Sequence, residues 1–330
     1  MSQGFHSMDD SIPVFFCTDD YYAVPTYIAL YSLLKNYRYG RKLKVYVLTP
    51  NSFTQKNIDL FIALKKDFSN LDIQIIGLKT NYDSVKTHNM RISSVTLYRL
   101  MIPRFINELD KKVNKCIYID SDVIVEGNIG EMFNIDVKNY YVAGVIDHFL
   151  SDNNHIDLKK IIKIPSLEGY INAGVLIMNV KKIIDEGVSG QLEEAGYQEE
   201  YLYNDQDAIN SVFYGNIKHI PLKYNINISC LPDDVLYEKY GVSNVKEAKT
   251  HPVIIHYNTW EKPWIYRHMK TAEIWWKYIR MQNETVMREF IEPFLKANRI
   301  PLLEEAGKKL YHLYYEKHAS FVKRIMRKKN

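Results

Sequence analysis

Residues 115–125, with the sequence KCIYIDSDVIV, place two carboxylates at the end of an apolar run. The run is rich in β-branched residues and almost uninterrupted, which is typical of a strand buried on both faces of a parallel sheet. Open α/β sheets bind their ligands at the carboxyl ends of such strands. In an extended chain, residues two apart point the same way, so Asp120 and Asp122 are expected to face one hard divalent cation. On its own, an Asp-x-Asp is also typical of a strand that runs into a turn whose aspartates cap backbone groups.

Apolar runs that suit strands alternate with amphipathic runs that suit helices. Strands are predicted at 12–17, 43–48 and 71–76, with helices at 23–37 and 53–68 between them and a helix at 94–106 that is interrupted near Pro103. Further apolar runs follow at 141–146, 175–180 and 253–257, with a helix at 206–214 and helices beyond Trp264. This order predicts an α/β fold, a Rossmann-like, mainly parallel twisted sheet flanked by helices on both faces.

The composition is that of a large globular protein. With 330 residues, 46% of them hydrophobic, the chain suits one large α/β domain with an appendage. No run of 18 or more uncharged apolar residues is present, so a transmembrane helix is not expected. Segment 1–11 lacks the basic start and apolar centre of a signal peptide, which predicts a disordered or tag-like N-terminus and a cytoplasmic protein. The three cysteines, Cys17, Cys116 and Cys230, are expected to be reduced, with no disulfide framework or zinc site.

Basic residues are concentrated at the C-terminus. Residues 308–330 hold eight Lys or Arg and the single acid Glu316, which leaves 35 basic and 38 acidic residues in 1–307. A slightly acidic body offers no groove for nucleic acid, so a nucleic-acid partner is not expected. In the tail the bases are interleaved with aromatic and aliphatic residues. This composition suits either an interfacial helix on an anionic membrane or a solvated basic end.

Six polar clusters stand at the ends of apolar runs, where one pocket can gather them. They are Asp19-Asp20, Asp120 with Asp122, Asp147-His148, Asn172-Ala173-Gly174, Asn204-Asp205-Gln206-Asp207, and His256-Tyr257 with Lys262-Pro263-Trp264. Two carboxylates and an imidazole, from Asp120, Asp122 and His256, suit Mn²⁺ or Mg²⁺ and leave positions open for phosphate oxygens. Lys262 and Arg99 would add cations that hold a diphosphate and stabilise it as a leaving group. The glycine-rich phosphate loops G-x-x-x-x-G-K-[ST] and G-x-G-x-x-G are absent from the sequence.

The same residues fall into ordered motifs. These are Phe16-Cys17-Thr18-Asp19-Asp20-Tyr21-Tyr22, Thr96-Leu97-Tyr98-Arg99-Leu100, Tyr118-Ile119-Asp120-Ser121-Asp122, Ile171-Asn172-Ala173-Gly174-Val175, Asn204-Asp205-Gln206-Asp207-Ala208-Ile209-Asn210, and His256-Tyr257 with Lys262-Pro263-Trp264. In order and spacing they resemble glycosyltransferase family 8 over about residues 12–265. That family includes bacterial lipopolysaccharide galactosyl- and glucosyltransferases and glycogenin.

The resemblance implies a GT-A fold and a particular reaction. A hexose, galactose or glucose, would pass with retention of configuration from UDP-galactose or UDP-glucose to a glycan or lipid-linked oligosaccharide acceptor, as in bacterial lipopolysaccharide biosynthesis. The metal would be Mn²⁺ or Mg²⁺. The basic C-terminus would then place a cytoplasmic enzyme at the inner membrane face, where lipid-linked acceptors lie.

The resemblance also implies a role for each matching residue. Asp19 and the chain around Cys17 and Thr18 would hold the uracil edge, and Tyr22 would stack on the base. Asp120 would reach the ribose and the metal, with Asp122 and His256 as the other metal ligands and Ser121 beside them. Arg99, Asn172 and Asp205 would contact the donor sugar or its diphosphate, and Lys262 the phosphates.

For three of these residues another role is also compatible with the sequence. Tyr22 is typical of a core aromatic as well as of a base-stacking residue. His256 could be a buried core histidine, and Arg99 could be the structural ion-pair partner of an aspartate.

Gln206 would lie on the face of the anomeric carbon opposite the leaving diphosphate. Retention is readily explained by a carboxylate nucleophile, whereas glutamine is a poor one. Two routes stay open: front-face attack by the acceptor hydroxyl, with Gln206 stabilising positive charge, or a nucleophilic Asp205.

The chain departs from the family pattern between His256 and Lys262. Relatives usually have a glycine there whose N–H approaches the diphosphate, and Thr259 occupies the corresponding position. Threonine adopts positive φ poorly, so either the loop takes a different turn or the phosphate contact comes from elsewhere. Thr259 is kept as a candidate UDP-sugar contact.

Two functions from other classes are also compatible with parts of the sequence. In haloacid-dehalogenase-like phosphatases the first Asp of such a motif is the nucleophile, although here it falls late in the chain and no downstream acidic pair follows. A catalytically silent nucleotide-sugar-binding subunit is the second alternative. The predicted organisation is an N-terminal segment 1–11, a catalytic domain 12–266 and a helical, basic C-terminal region 267–330.

Overall fold

The computed structural model describes residues 11–85, 93–151, 155–227, 233–259, 261–267, 272–301 and 303–310. Three predictions lie wholly or mainly outside these residues: the state of the N-terminal segment, the burial of Cys230 and the conformation of the basic tail beyond residue 310.

Nine strands and thirteen α-helices are formed by the described residues. The strands are β1 Ser11–Cys17, β2 Lys42–Pro50, β3 Leu71–Leu78, β4 Cys116–Ile119, β5 Val123–Val125, β6 Val142–Ile146, β7 Ile171–Met178, β8 Ile217–His219 and β9 Ile254–His256. The helices are α1 Ala23–Asn36, α2 Gln55–Ala63, α3 Ile102–Leu109, α4 Gly130–Phe133, α5 Ile156–Ile161, α6 Val180–Asp185, α7 Ser189–Ala195, α8 Asp205–Val212, α9 Asp233–Tyr240, α10 Val242–Thr250, α11 Ala272–Ile279, α12 Glu284–Val286 and α13 Glu292–Ala297. Shorter 3-10 segments lie at Leu64–Lys66, Asn81–Ser84, Ser94–Met101 and Leu222–Tyr224, and a π-helical turn at Met287–Ile291.

The central sheet has seven strands in the order β3-β2-β1-β4-β7-β6-β8. Strands β1 to β4 run parallel, as predicted, whereas β7 is antiparallel to both β4 and β6. Because β7 is reversed, its first residues lie at the edge where β1 and β4 end. The mainly parallel, helix-flanked α/β sheet is thereby confirmed, with one reversed strand inside it.

Residues 115–125 do not form one strand, which corrects the extended-chain prediction. They form β4 and β5, and Ser121 and Asp122 lie in the turn between them. Strand β4 belongs to the large sheet, whereas β5 pairs with β9 in a separate two-stranded sheet. The two aspartates still come together, because the turn brings Asp122 back beside β9 instead of letting the chain continue outwards.

The sheet is buried on both faces, which explains why its strands are almost uninterrupted apolar runs. In β1, Ile12, Val14 and Phe16 pack with α1 in one hydrophobic cluster, and Phe15 and Cys17 pack in a second cluster on the other face. Cys17 and Cys116 are buried and reduced, as predicted.

The helical predictions are confirmed for α1 and for most of the other helices. The predicted interruption of helix 94–106 falls between Met101 and Ile102, where a 3-10 segment gives way to α3. Pro103 stands in the first turn of α3, where its missing N–H removes no helical hydrogen bond. Beyond Trp264 the described residues are mostly helical, and α11 packs against α1 in the first cluster. None of the helices that the structure describes is long and apolar enough to cross a membrane.

Candidate active site

Every predicted site residue lines one cavity of about 410 Å³ at the edge where β1 and β4 end and β7 begins. The cavity is lined by Cys17, Thr18, Asp19, Tyr22, Arg99, Asp120, Ser121, Asp122, Asn172, Asp205, Gln206, His256, Thr259 and Lys262. They come from six separate parts of the chain, which the sheet topology brings to one place.

Asp120, Asp122 and His256 form a group whose ligand atoms all lie within 4.8 Å of one another. His256 Nε2 is 3.1 Å from an Asp122 oxygen and 3.6 Å from an Asp120 oxygen. The pairing of Val123 with His256 between β5 and β9 fixes this arrangement through the backbone. His256 is therefore not merely a core histidine, since its ring faces two carboxylates.

The hydrogen-bonding pattern of His256 fits a cation at this point. Its Nδ1 lies 2.9 Å from the side-chain oxygen of Asn225, so Nδ1 carries a hydrogen and donates it. In the neutral ring, Nε2 then directs a lone pair at the Asp120 and Asp122 carboxylates. Acceptors that face one another in this way need a proton or a metal ion between them. Two carboxylates and an imidazole are ligands that suit Mn²⁺ or Mg²⁺.

Arg99 is buried beside this group and pairs with two carboxylates. Its Nη2 donates to Asp120 Oδ1 at 2.7 Å, and its Nε lies 3.1 Å from Asp205 Oδ2. Nη1 donates to the carbonyl of Ala173 at 2.7 Å, and the guanidinium lies over the ring of Tyr118. Burial by itself lowers the pKa of Arg99, but the two carboxylates outweigh it and the net pKa is raised. Arg99 is thus the ion-pair partner of site aspartates and at the same time lines the cavity.

Asp205 is engaged by its neighbours on both oxygens. Thr96 Oγ1 donates to Oδ1 at 2.7 Å, and Arg99 contacts Oδ2. Burial raises the pKa of Asp205 to about 6 even though Arg99 acts in the opposite direction. A carboxylate held in this way has little freedom to move onto a substrate carbon.

Lys262 pairs with the remaining metal-site carboxylate. Its Nζ is 2.5 Å from Asp122 Oδ2 and donates to the carbonyl of Tyr257 at 2.7 Å. Burial would raise the pKa of Asp122, but Lys262 and His256 together hold it well below the usual range. The ammonium therefore lies directly beside the group of Asp120, Asp122 and His256.

Gln206 lies in the first turn of α8 and is held by β7. Its Oε1 accepts from the backbone N–H of Ala173 at 3.0 Å and from Asn172 Nδ2 at 3.1 Å, and its Nε2 donates to Asp147 at 3.2 Å. The side chain is therefore fixed before any ligand is present. Asn204, which precedes the helix, has a positive φ of 42°, a conformation that is costly for most non-glycine residues.

The end of β1 is tied to the turn between β4 and β5. Thr26 Oγ1 lies 2.8 Å from both Thr18 Oγ1 and Ser121 Oγ, and Ser121 donates to the Cys17 carbonyl at 2.9 Å. Asp19 accepts from the Tyr22 N–H and so closes the turn into α1. The Tyr22 ring contacts Trp264 edge-on and also lines the cavity, so its side chain is both packed and available to a ligand.

The loop at Thr259 does not reproduce a glycine-like turn. Among the described residues, Lys163 and Asn204 are the non-glycine residues with positive φ, and Thr259 is not one of them. Thr259 thus avoids the positive φ that threonine adopts poorly. Thr259 lines the cavity, and its hydroxyl is 3.4 Å from the Glu261 carbonyl.

Several residues of the site were not predicted. Asp147 was noted only as part of a cluster, yet it lines the cavity and accepts from Gln206. Tyr118 donates to Asp120 at 2.6 Å, and its spacing of two residues from Asp120 was a usable signal. Asn225, which contacts His256, follows a short 3-10 turn, and no motif in the sequence marks it.

The fold is that of the GT-A glycosyltransferases, as its structural neighbours show. The galactosyltransferase LgtC, solved in complex with donor and acceptor sugar analogues, superposes with a TM-score of 0.67 at 22% identity, over 83% of this chain and 99% of that one. The bifunctional glycosyltransferase WbbM gives a TM-score of 0.72 at 21% identity, over 91% of this chain and 53% of that one. At these identities the superpositions establish the fold alone.

The chain belongs to glycosyltransferase family 8, because the family model described as Glycosyl transferase family 8 matches residues 13–268. Glycosyltransferase GlyB of Streptococcus pneumoniae is 26% identical over 84% of this chain and 66% of its own length. The chain thus spans slightly less than two thirds of GlyB. Family membership indicates a glycosyl transfer reaction, and Asp120, Asp122 and His256 form a group of suitable ligands for a divalent metal. The phosphatase and silent-subunit alternatives are not favoured.

Proposed function

We propose that the protein is a retaining hexosyltransferase that uses a UDP-sugar and Mn²⁺, with a glycan or glycolipid acceptor. One observation carries the proposal: a two-carboxylate, one-imidazole group and the Lys262 ammonium share a cavity with the immobilised Gln206. The metal-ligand group and the Lys262 ammonium suit a diphosphate, and Gln206 suits a sugar. The similarity to LgtC, a galactosyltransferase, supports galactose as the first donor to test, with glucose as the second.

The chain's own residues would divide the work between the two halves of the donor. When bound, a divalent metal supplies Lewis-acid stabilisation of the diphosphate leaving group. Lys262 would give up its contact with Asp122 in favour of a phosphate oxygen, and Arg99 would hold Asp120 in place. The Cys17 to Tyr22 segment would accommodate the uracil, with Tyr22 against the base.

The contacts of Asp205 support front-face attack over a nucleophilic Asp205. Both of its oxygens are already engaged by Thr96 and Arg99. Gln206 would stabilise positive charge at the anomeric carbon, and the departing phosphate would accept the proton of the acceptor hydroxyl. Front-face attack predicts partial loss of turnover in Asp205→Asn, whereas a nucleophilic Asp205 predicts complete loss.

A hydrolysis screen tests the proposal without knowledge of the acceptor. UDP-galactose and UDP-glucose are incubated with the protein and Mn²⁺, Mg²⁺ or EDTA, and released UDP is measured. The expected result is metal-dependent release that falls by a factor on the order of 100 in Asp122→Ala and is unchanged in Asp185→Ala, a surface carboxylate paired with Lys181. Absence of metal-dependent release from both donors, together with no thermal stabilisation by UDP, would contradict the proposal.

We also propose that the basic C-terminus holds the enzyme at the inner membrane face. Lysines and arginines interleaved with aromatic residues in 308–330 support this proposal. Deletion of residues 308–330 should reduce binding to phosphatidylglycerol vesicles and spare UDP-sugar hydrolysis in solution. Phosphatidylcholine vesicles provide the control, and unchanged binding to the anionic vesicles would refute the idea.

A further inference from the structure

Asn225 lies behind the wall of the cavity and connects two of its residues. Its side chain is buried, with 6% of its surface exposed. Oδ1 is 2.9 Å from His256 Nδ1, and Nδ2 donates to Asn172 Oδ1 at 2.8 Å. One amide thus bridges the group of Asp120, Asp122 and His256 to the strand that holds Gln206.

Two backbone N–H groups fix the orientation of every amide in this chain of contacts. The Gly174 N–H donates to Asn172 at 3.0 Å, so the Asn172 atom facing it must be the oxygen. That oxygen also faces Asn225, which must therefore present its NH₂ group to Asn172. The Ala173 N–H independently requires an oxygen from Gln206, and this agrees with the Asn172 NH₂ pointing to the same atom.

The orientation of Asn225 determines the hydrogen on His256. With its NH₂ committed to Asn172, Asn225 can offer only its oxygen to Nδ1, so the hydrogen of a neutral ring is on Nδ1. Nε2 is then left as the electron-pair donor that faces Asp120 and Asp122. Metal-binding histidines depend on such a partner at the other ring nitrogen.

The backbone around Asn225 is held independently of its side chain. The Ile226 N–H donates to the Ile254 carbonyl at 2.9 Å, and the His256 N–H donates to the Ile226 carbonyl at 3.0 Å. A substitution at Asn225 therefore removes the amide contacts and leaves the segment paired with β9.

We propose that Asn225 is a positioning residue that sets the His256 tautomer for metal binding and couples it to the Asn172 and Gln206 amides. The inference rests on the proposed metal-dependent glycosyltransferase activity and adds to it a residue that touches neither metal nor substrate. Its two contacts predict separable effects, one on metal affinity and one on turnover.

The first test is the Asn225→Leu variant, which removes both contacts in a side chain of similar size. Mn²⁺ binding to the nucleotide-free protein is measured from the free-ion electron paramagnetic resonance signal. Loss of a histidine's outer partner should weaken binding by about 10- to 100-fold. Asn179→Leu is the matched control, because Asn179 is also buried and hydrogen-bonded but lies at the other end of β7. It should lower stability and leave Mn²⁺ binding unchanged.

The ring nitrogens give a readout that does not depend on metal. In ¹⁵N-histidine spectra of the metal-free protein, with His256 assigned from His256→Ala, the wild type should show the Nδ1–H form whenever the ring is neutral. Asn225→Leu should lose this preference. If Asn225→Leu kept the wild-type tautomer, the proposal for Asn225 would be overturned, whether or not the wild type binds Mn²⁺. Failure of the wild type to bind Mn²⁺ would instead count against the proposed metal dependence.

The Asn225→Asp variant separates the two contacts. A carboxylate still accepts from His256 Nδ1 but cannot donate to Asn172. Mn²⁺ affinity should therefore equal or exceed that of the wild type, whereas UDP-sugar hydrolysis should fall by about tenfold or more. If Asn225→Leu fails to fold, the Mn²⁺ affinity and the UDP-sugar hydrolysis of Asn225→Asp test the proposal instead. Wild-type affinity together with wild-type turnover in Asn225→Asp would overturn the coupling to Gln206.

Discussion

Arg99 Nη2 and Asp120 Oδ1 lie 2.7 Å apart in a wall of the cavity where the arginine is 4% exposed. The same guanidinium contacts Asp205, so one buried cation compensates a buried carboxylate and a half-buried one. The pair leaves Asp120 Oδ2, the oxygen nearer to His256, turned towards the proposed metal.

Replacing Arg99 should therefore destabilise the whole fold. Arg99→Met removes the cation beside the buried Asp205 and the half-buried Asp120, which keep the hydroxyl donors Thr96 and Tyr118 but lose their ion pair. Removal of one member of a buried ion pair costs about 3–5 kcal/mol. Urea unfolding should show this loss. Arg104→Met is the control, because Arg104 binds both oxygens of Glu193 but is about half exposed, and such surface pairs contribute about 1 kcal/mol or less. Equal losses in the two variants would contradict the central role of Arg99.

Gly174 should tolerate no side chain. A Cβ at this position would overlap the His256 ring and lie 2.7 Å from Asp120 Oδ2. Gly174→Ala should therefore displace both ligands and weaken Mn²⁺ binding by an order of magnitude or more, roughly the effect of losing a ligand's support. Gly190→Ala provides the comparison, because a Cβ there meets nothing within 4 Å. Wild-type Mn²⁺ affinity in Gly174→Ala would disprove the close approach.

Lys262 should compete with the metal until a diphosphate arrives. Its ammonium forms an ion pair with Asp122 Oδ2. Lys262→Met should therefore tighten Mn²⁺ binding to the nucleotide-free protein by roughly three- to tenfold, a change in affinity that corresponds to the free energy of about one ion pair. UDP should bind more weakly to the same variant, since a phosphate-binding cation is lost. Calorimetric titration with each ligand measures both effects. Lys44→Met, which breaks the remote pair with Asp110, should change neither affinity, and weaker Mn²⁺ binding in Lys262→Met would refute the competition.

Cys17 and Cys116 should resist thiol reagents in the native protein. Burial raises the pKa of both thiols well above the usual value, so the reactive thiolate is scarce at pH 8. In a Cys230→Ser background, Ellman's reagent should label neither residue before unfolding and both in guanidinium chloride. Rapid native labelling would show that the end of β1 opens.

The sequence predicted the parts of the site that are delivered by strands. Asp120, Asp122, Asn172 and His256 each stand where an apolar run ends or begins, and the sheet carries those ends to one edge. The extended chain expected between Asp120 and Asp122 was wrong, because the apolar β5 follows so closely that the sequence hides the turn between the two strands. Burial in a different sheet leaves the same composition.

Asn225 and Asp147 were missed for a different physical reason. The role of each residue in the site depends on the side chain that it contacts from a distant part of the sequence. A single asparagine or aspartate after a turn is most often a backbone cap. The reversed direction of β7 was also invisible, because parallel and antiparallel strands that are buried on both faces have similar apolar runs. In the structure, the pairing of Ile146 with Ile171 shows that the end of β6 meets the start of β7.

That pairing closes the excursion from 148 to 170 at its base. Ile146 pairs with Ile171, the Asp147 N–H donates to the Tyr170 carbonyl at 2.8 Å, and the Asp147 and Asn172 side chains lie 3.4 Å apart. The excursion leaves and rejoins the sheet at one point, so the contact between Asp147 and Asn172 is set by the two strand ends and does not depend on the length of chain between them.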